Sequence, residues 1–156
     1  MIEDKEFTLA TRQHEIACGH RVVGHEGKCQ HLHGHNYVFT FKCMAQSLDS
    51  VGRVIDFGQI KQTLCHWLEA NWDHRFLAWE KDEQMQQLLD AGSSFDHATD
   101  SLLINSVVWV PFNPTAENIA QHMVRVVGPE VLPPGIRLVV CGVGETGKCG
   151  VEVWAE

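Results

Sequence analysis

Cys29-Gln30-His31-Leu32-His33-Gly34-His35-Asn36-Tyr37, with His20 nine residues before the cysteine, is the stretch on which the reading of this chain turns. In an extended strand, side chains two apart share a face. His33 and His35 therefore stand side by side, and Gly34 between them adds no bulk to the opposite face. His20, from a neighbouring strand, completes a set of three imidazole nitrogens. Three neutral imidazoles with one position left open is the arrangement of a catalytic zinc, whereas structural zinc usually takes four protein ligands, often thiolates. Cys29, four residues before His33, is close enough to work beside such a metal.

The stretch belongs to a chain of 156 residues, one domain's length, with 44% hydrophobic and 21% charged residues. That is ordinary for a globular protein with a sizeable core. A net charge of −8 argues against nonspecific nucleic-acid or membrane binding. No run approaches the ~20 apolar residues that span a bilayer. The opening residues 1–6 are acidic and lack the basic and apolar regions of a signal peptide. Six cysteines (18, 29, 43, 65, 141, 149) form no CxxC pair, which fits free thiols in a reducing cytosol. Of the ten histidines, six (14, 20, 25, 31, 33, 35) fall within 22 residues. Such local enrichment favours a metal site over scattered structural histidines.

Outward from the stretch, Phe7–Thr11 and Glu15–Cys18 read as a first strand entering Gly19-His20, and Tyr37–Cys43, rich in aromatic and β-branched residues, as a second. Gly24 and Gly27 mark a loop between them. Gln59–Asn71 repeats Ile60, Leu64, Trp67 and Leu68 at helical spacing, with Asp56 as its N-cap. Lys81–Ala91 reads as a short polar helix, Ser93–Asp100 as loop and Ser101–Val110 as an apolar, β-rich run. A second long helix is expected over Ala116–Val127, capped by Thr115 or Asn113 with Pro114 at its start and ended by Pro129, Pro133 and Pro134. Arg137–Gly144 and Gly150–Ala155 close the chain as two strands around the Glu145–Lys148 turn. The order β–β–α–insert–α–β–β predicts an α+β fold in one domain, 1–156: an antiparallel four-stranded sheet under two helices, with an insertion at about 80–110.

Read together, His20, Cys29-x-x-x-His33-Gly-His35-Asn-Tyr37, Asp73-His74, Pro114-Thr-Ala-Glu-Asn118 and Glu145-Thr146 occur in the order of the 6-pyruvoyltetrahydropterin synthase / 6-carboxytetrahydropterin synthase family, which the chain resembles from about residue 6 onward. The resemblance implies the tunnelling fold, in which subunits join their sheets into a barrel, usually as a homohexamer. It also implies a zinc ion (Zn2+) on His20, His33 and His35 and a pterin triphosphate as small-molecule substrate, with no nucleic-acid or membrane partner. Three residues between Cys29 and His33 resemble the bacterial 6-carboxytetrahydropterin synthases of the queuosine (7-deazaguanine) pathway; five are typical of 6-pyruvoyltetrahydropterin synthases. The expected reaction is loss of triphosphate and acetaldehyde from 7,8-dihydroneopterin triphosphate in the cytoplasm. The alternatives are triphosphate elimination without carbon loss and, in another class, a zinc- or pterin-binding protein without turnover.

The resemblance also distributes roles. Cys29 is the expected base, since a neighbouring cation or imidazolium favours the thiolate. Asp73 would orient His74, and His74 would move protons. Glu145 would anchor the pterin edge through paired, charge-assisted hydrogen bonds and can enter the proton relay. The other five cysteines are read as small apolar fillers, Glu117 as a helix-dipole partner, and His25 and His31 as lining of the site mouth. Arg21, Lys28, Arg75 and Lys148 are candidates for meeting the triphosphate. The 80–110 insertion is expected at the rim of the assembly.

Overall fold

A computed structural model describes residues 7–93 and 100–156. Strand β1 (Ala10–His20) and strand β2 (His33–Ala45) pair antiparallel along their whole length, His20 opposite His33 and Ala10 opposite Cys43. Strand β5 (Ile136–Gly144) adds to β2, with a bulge at Lys42/Cys43, and β6 (Gly150–Trp154) adds to β5. This is the expected four-stranded antiparallel sheet, order β1-β2-β5-β6. Two short strands extend it past β1: β3 (Arg75–Trp79) and β4 (Val107–Val110), both running parallel, give the order β4-β3-β1-β2-β5-β6. The chain thus closes its β1-to-β3 crossover through a helix, as parallel pairing requires.

Helix α1 runs over 57–71 as an α segment Phe57–Ile60, a π segment Lys61–Cys65 and an α segment His66–Asn71. Asp56 caps it as expected, accepting from the Gly58 N–H at 2.7 Å. Helix α2 is Glu83–Ser93 and helix α3 is Asp100–Asn105. The expected loop between them lies, over 94–99, outside the described residues. The run expected to be wholly β-rich is divided: its first half is α3 and only its end pairs as β4. Helix α4 covers 116–131 with a π segment Met123–Val127 at its middle. Thr115 caps it, accepting from the Asn118 N–H at 3.2 Å. Pro129 does not end the helix; the last segment, Gly128–Val131, contains it. A proline removes one backbone donor, and the wider π turn before it relieves the clash that its ring would meet in a regular α ladder.

Burial alternates along the strands. Ile16, Cys18 and His20 on β1 and Tyr37, Phe39 and Phe41 on β2 are buried, with Ile60, Leu64 and Leu68 of α1 and Ile119, Met123 and Val127 of α4 in the same core. Both long helices therefore cover one face of the sheet, and the histidines share that face at one end of it.

Candidate metal centre and active site

The β1–β2 register builds the centre. His20 ends β1, His33 begins β2 directly opposite, and His35 follows two residues on, on the same face. One ligand nitrogen from each lies within 4.8 Å of the others. Gly34 faces Gly19 across the ladder on the other face, where a Cβ would come 3.0 Å from the Cys18 carbonyl. Any larger residue there would press on the neighbouring strand's backbone.

Two of the rings are held by backbone carbonyls. His20 Nδ1 lies 2.7 Å from the Pro114 carbonyl and His33 Nδ1 2.7 Å from the His31 carbonyl. A carbonyl only accepts, so each Nδ1 carries the proton and each Nε2 lone pair is left for a metal. His20 Nε2 and His35 Nε2 are buried without a hydrogen-bond partner, which costs on the order of 1–3 kcal/mol for such a group. Burial pushes His20 down to about 4, opposed by the Pro114 bond and reinforced by His33 and His35; it is neutral at pH 7, as a ligand must be. Glu145, in the turn after β5, places Oε1 3.9 Å from His20 Nε2 and Oε2 3.9 Å from His35 Nε2. The donor set fits a metal ion.

Beside the centre lies a cavity of about 450 Å³ lined by Val22, His25, Cys29, Thr115, Glu145 and Cys149 among others. Cys29 reaches it from the 3-10 turn Lys28–Gln30 and is half-buried. Burial pushes the Cys18 and Cys43 thiols up to about 12 and raises Cys65 and Cys141 as well, so those four are inert fillers. Cys149 is not a filler. It is exposed and lines the same cavity as Cys29, because the Glu145–Cys149 turn folds over the site instead of into the core. His25 also lines the cavity, while His31 contributes only its carbonyl. Glu117, in the first turn of α4, forms part of the wall.

Asp73 and His74 occupy a different place. Asp73 Oδ1 accepts from the Ala17 N–H at 3.0 Å and its Oδ2 lies 2.9 Å from His74 Nδ1. The His74 N–H donates to the Ala17 carbonyl at 2.7 Å, in the left-handed region at φ 57. The carboxylate thus lies against the imidazole nitrogen. The His74 side chain is 81% exposed and borders a depression with Ala17, Gly19, Gly34, His35, Asn36 and Arg75. Within one chain, His74 and Cys29 line separate depressions.

The family model for 6-pyruvoyl tetrahydropterin synthase matches residues 9–156. The chain belongs to that family. It is 37% identical over 145 residues to the 6-carboxy-5,6,7,8-tetrahydropterin synthase of Rickettsia felis, covering 92% of this chain and 97% of that protein. It is 30% identical over 117 residues to the protein of that name from Haemophilus influenzae, covering 72% and 77%. Among solved structures, an uncharacterized protein from Wolinella succinogenes superposes with a TM-score of 0.85 at 22% identity, covering 97% of this chain and all of that one. The 6-pyruvoyl tetrahydropterin synthase of Caenorhabditis elegans superposes with a TM-score of 0.64 at 20% identity, covering 97% of each. At those identities the structures speak for the fold alone.

Of the four cations expected to meet a triphosphate in this member of the family, two are committed elsewhere. Arg21 Nε donates to Asp82 Oδ2 at 2.6 Å, and its Nη2 donates to Asp82 Oδ1 at 3.2 Å and to Gln84 Oε1 at 2.9 Å. Asp82 is 2% exposed, so the pair ties the residue after His20 to the start of α2. Arg75 donates to the Asn105 carbonyl. Among the described residues, neither Lys28, beside Cys29, nor Lys148, beside Cys149, forms an ion pair. The contributions of Pro114, behind His20, and of Tyr37 escaped the sequence reading. Tyr37 is buried edge-on against His20 and His35; only its place two residues after His35 hinted at this. No helix among the described residues is long and apolar enough to cross a membrane.

Proposed function

We propose that this chain is a lyase converting 7,8-dihydroneopterin triphosphate to 6-carboxy-5,6,7,8-tetrahydropterin with release of acetaldehyde and triphosphate. Atom balance requires one water, since the carbon next to the ring carries one oxygen in the substrate and two in the carboxylate. The observation that carries the reading is one cavity shared by Cys29 and Glu145, whose carboxylate lies 3.9 Å from both His20 Nε2 and His35 Nε2. The names of the Rickettsia and Haemophilus relatives and the three-residue gap before His33 both favour the carboxy product.

His20, His33 and His35 would hold zinc, which supplies Lewis-acid stabilisation of charge developing on the substrate's side-chain oxygens. Glu145 accepts the pterin's N–H donors and so fixes the ring with its side chain toward the histidines. Cys29 takes the proton from the side chain as base. His74, its Nδ1 held by Asp73, exchanges that proton through Nε2. That His74 and Cys29 line separate depressions of one chain supports the reading in which the Asp73-His74 pair comes to Cys29 from an adjacent subunit. The sheets join into the barrel of a homohexamer, and residues 80–110 lie at its rim. The setting is cytoplasmic queuosine (7-deazaguanine) biosynthesis.

Incubation with 7,8-dihydroneopterin triphosphate, with and without chelator, followed by product identification, tests this. Acetaldehyde together with the carboxypterin is the expected result, abolished by the chelator and restored by zinc. Triphosphate release without acetaldehyde would indicate the pyruvoyl product instead. Binding of pterin without turnover would make the chain a binding protein.

A further inference from the structure

The loop between β1 and β2 brings Cys29 to the cavity, yet its one helical turn, Lys28–Gln30, contains no buried residue. Its position is imposed from outside. Asn113 Oδ1 accepts from the Val23 N–H at 2.9 Å, and Asn113 Nδ2 donates to the Val23 carbonyl at 2.8 Å. Both ends of the amide are used on one residue's backbone, as a paired strand would use its own peptide groups. The adjacent Val22 N–H donates to the Cys29 carbonyl at 2.7 Å.

Asn113 is itself anchored. Its carbonyl accepts from the Thr115 N–H at 2.7 Å and from Asn118 Nδ2 at 2.9 Å, both at the start of α4. The next carbonyl, that of Pro114, holds His20 Nδ1. Hydrogen bonds linked through the Asn113–Pro114 and Val22–Val23 peptides therefore join the support of His20 to the backbone of Cys29. We infer that Asn113 is a positioning residue that sets where the Cys29 thiol stands relative to the three histidines; the inference rests on the role proposed for Cys29.

Asn113 does not line the cavity, so its loss leaves the substrate's contacts in place, and the ligand set is untouched. Misplacing a reacting group by an ångström costs roughly 100-fold in rate. Asn113→Ala removes both bonds to Val23. Asn113→Asp keeps the acceptor for the Val23 N–H but sets a carboxylate against its carbonyl, and it carries the same test if the alanine variant does not fold. The expected result is a kcat lowered roughly 10–100-fold, with KM within about twofold of wild type and unchanged zinc content. The second readout is independent of turnover: the iodoacetamide labelling rate of Cys29, followed by peptide mass spectrometry with exposed Cys149 as internal standard. The Cys29/Cys149 ratio should shift by about threefold or more as the thiolate environment changes. Wild-type kcat and an unchanged ratio overturn the inference, as does a kcat loss that only mirrors lost zinc or lost folded protein. An inactive wild-type enzyme overturns the proposed function instead, and the labelling ratio then decides on Asn113 alone.

Discussion

The end of the β1–β2 ladder and the corner after α1 both carry histidines of the proposed site, and they are built in opposite ways. At the ladder end, His20 is 1% exposed, its ring is held by a carbonyl, and its register partner His33 is fixed by every pair back to Ala10–Cys43. At the corner, His74 is 81% exposed and is oriented by a single carboxylate. The difference teaches what each can do alone. A ladder preorganises a metal centre within one chain, because slipping it by one residue would turn every core side chain outward. The corner leaves an oriented imidazole open at the surface, where the proposed role needs a neighbouring subunit.

The largest effect that separates the two regions is on metal. His35→Ala should abolish zinc retention and turnover together, read by metal analysis, whereas His74→Ala should leave zinc content at the wild-type level. Next comes chemistry. Cys29→Ala and His74→Ala should each lose about 10²–10⁴-fold in kcat with the metal kept. Mixed under conditions that allow subunit exchange, the two inactive variants should recover about a quarter of wild-type activity, because one site in four draws each intact residue from a different chain. No recovery would place both residues' contributions in one subunit and dissolve the contrast.

Smaller effects distinguish the two kinds of cation. Arg21→Ala should destabilise the fold by about 3–5 kcal/mol, seen in denaturant melts, by leaving Asp82 buried and unpaired. Lys28→Ala should leave stability alone and raise KM for the triphosphate substrate severalfold; an unchanged KM removes Lys28 from the list. The last effect is on pH. His20 is pushed down to about 4, and burial also lowers His122, packed against Trp72 and Phe112. Between about pH 6.5 and 4 the unfolded chain therefore binds more protons than the folded one. Stability of the chelated protein should be full above about 6.5 and fall as pH drops toward 4, and His122→Gln should flatten part of that slope in thermal melts.

Much of this arrangement was legible in local patterns. The two-residue spacing of His33 and His35, the glycine between them and the alternating apolar residues of β1 and β2 specify a strand pair and its buried face. Asp56 and Thr115 announce their helices because capping is a local bond. Strand β3 was not legible: Arg75–Trp79 is too short for a period, and it becomes a strand only by docking on β1. Pro129 misled because a proline's effect depends on the turn before it. Cys149 misled because burial is a property of the surface that a turn folds over. Arg21 was read as a free cation, and its commitment to Asp82 lies 61 residues away.

Residue types at short, fixed spacings were enough to give the cluster of three histidines, the family and the fold class. Only the tertiary structure decided how the ligands' protons are placed, which thiols face the cavity and which cations remain unpaired. Those depend on contacts such as His20 with Pro114 and Val23 with Asn113, some 90 or more residues apart. No local periodicity reports a contact across that distance, since it exists only once the helices have closed over the sheet.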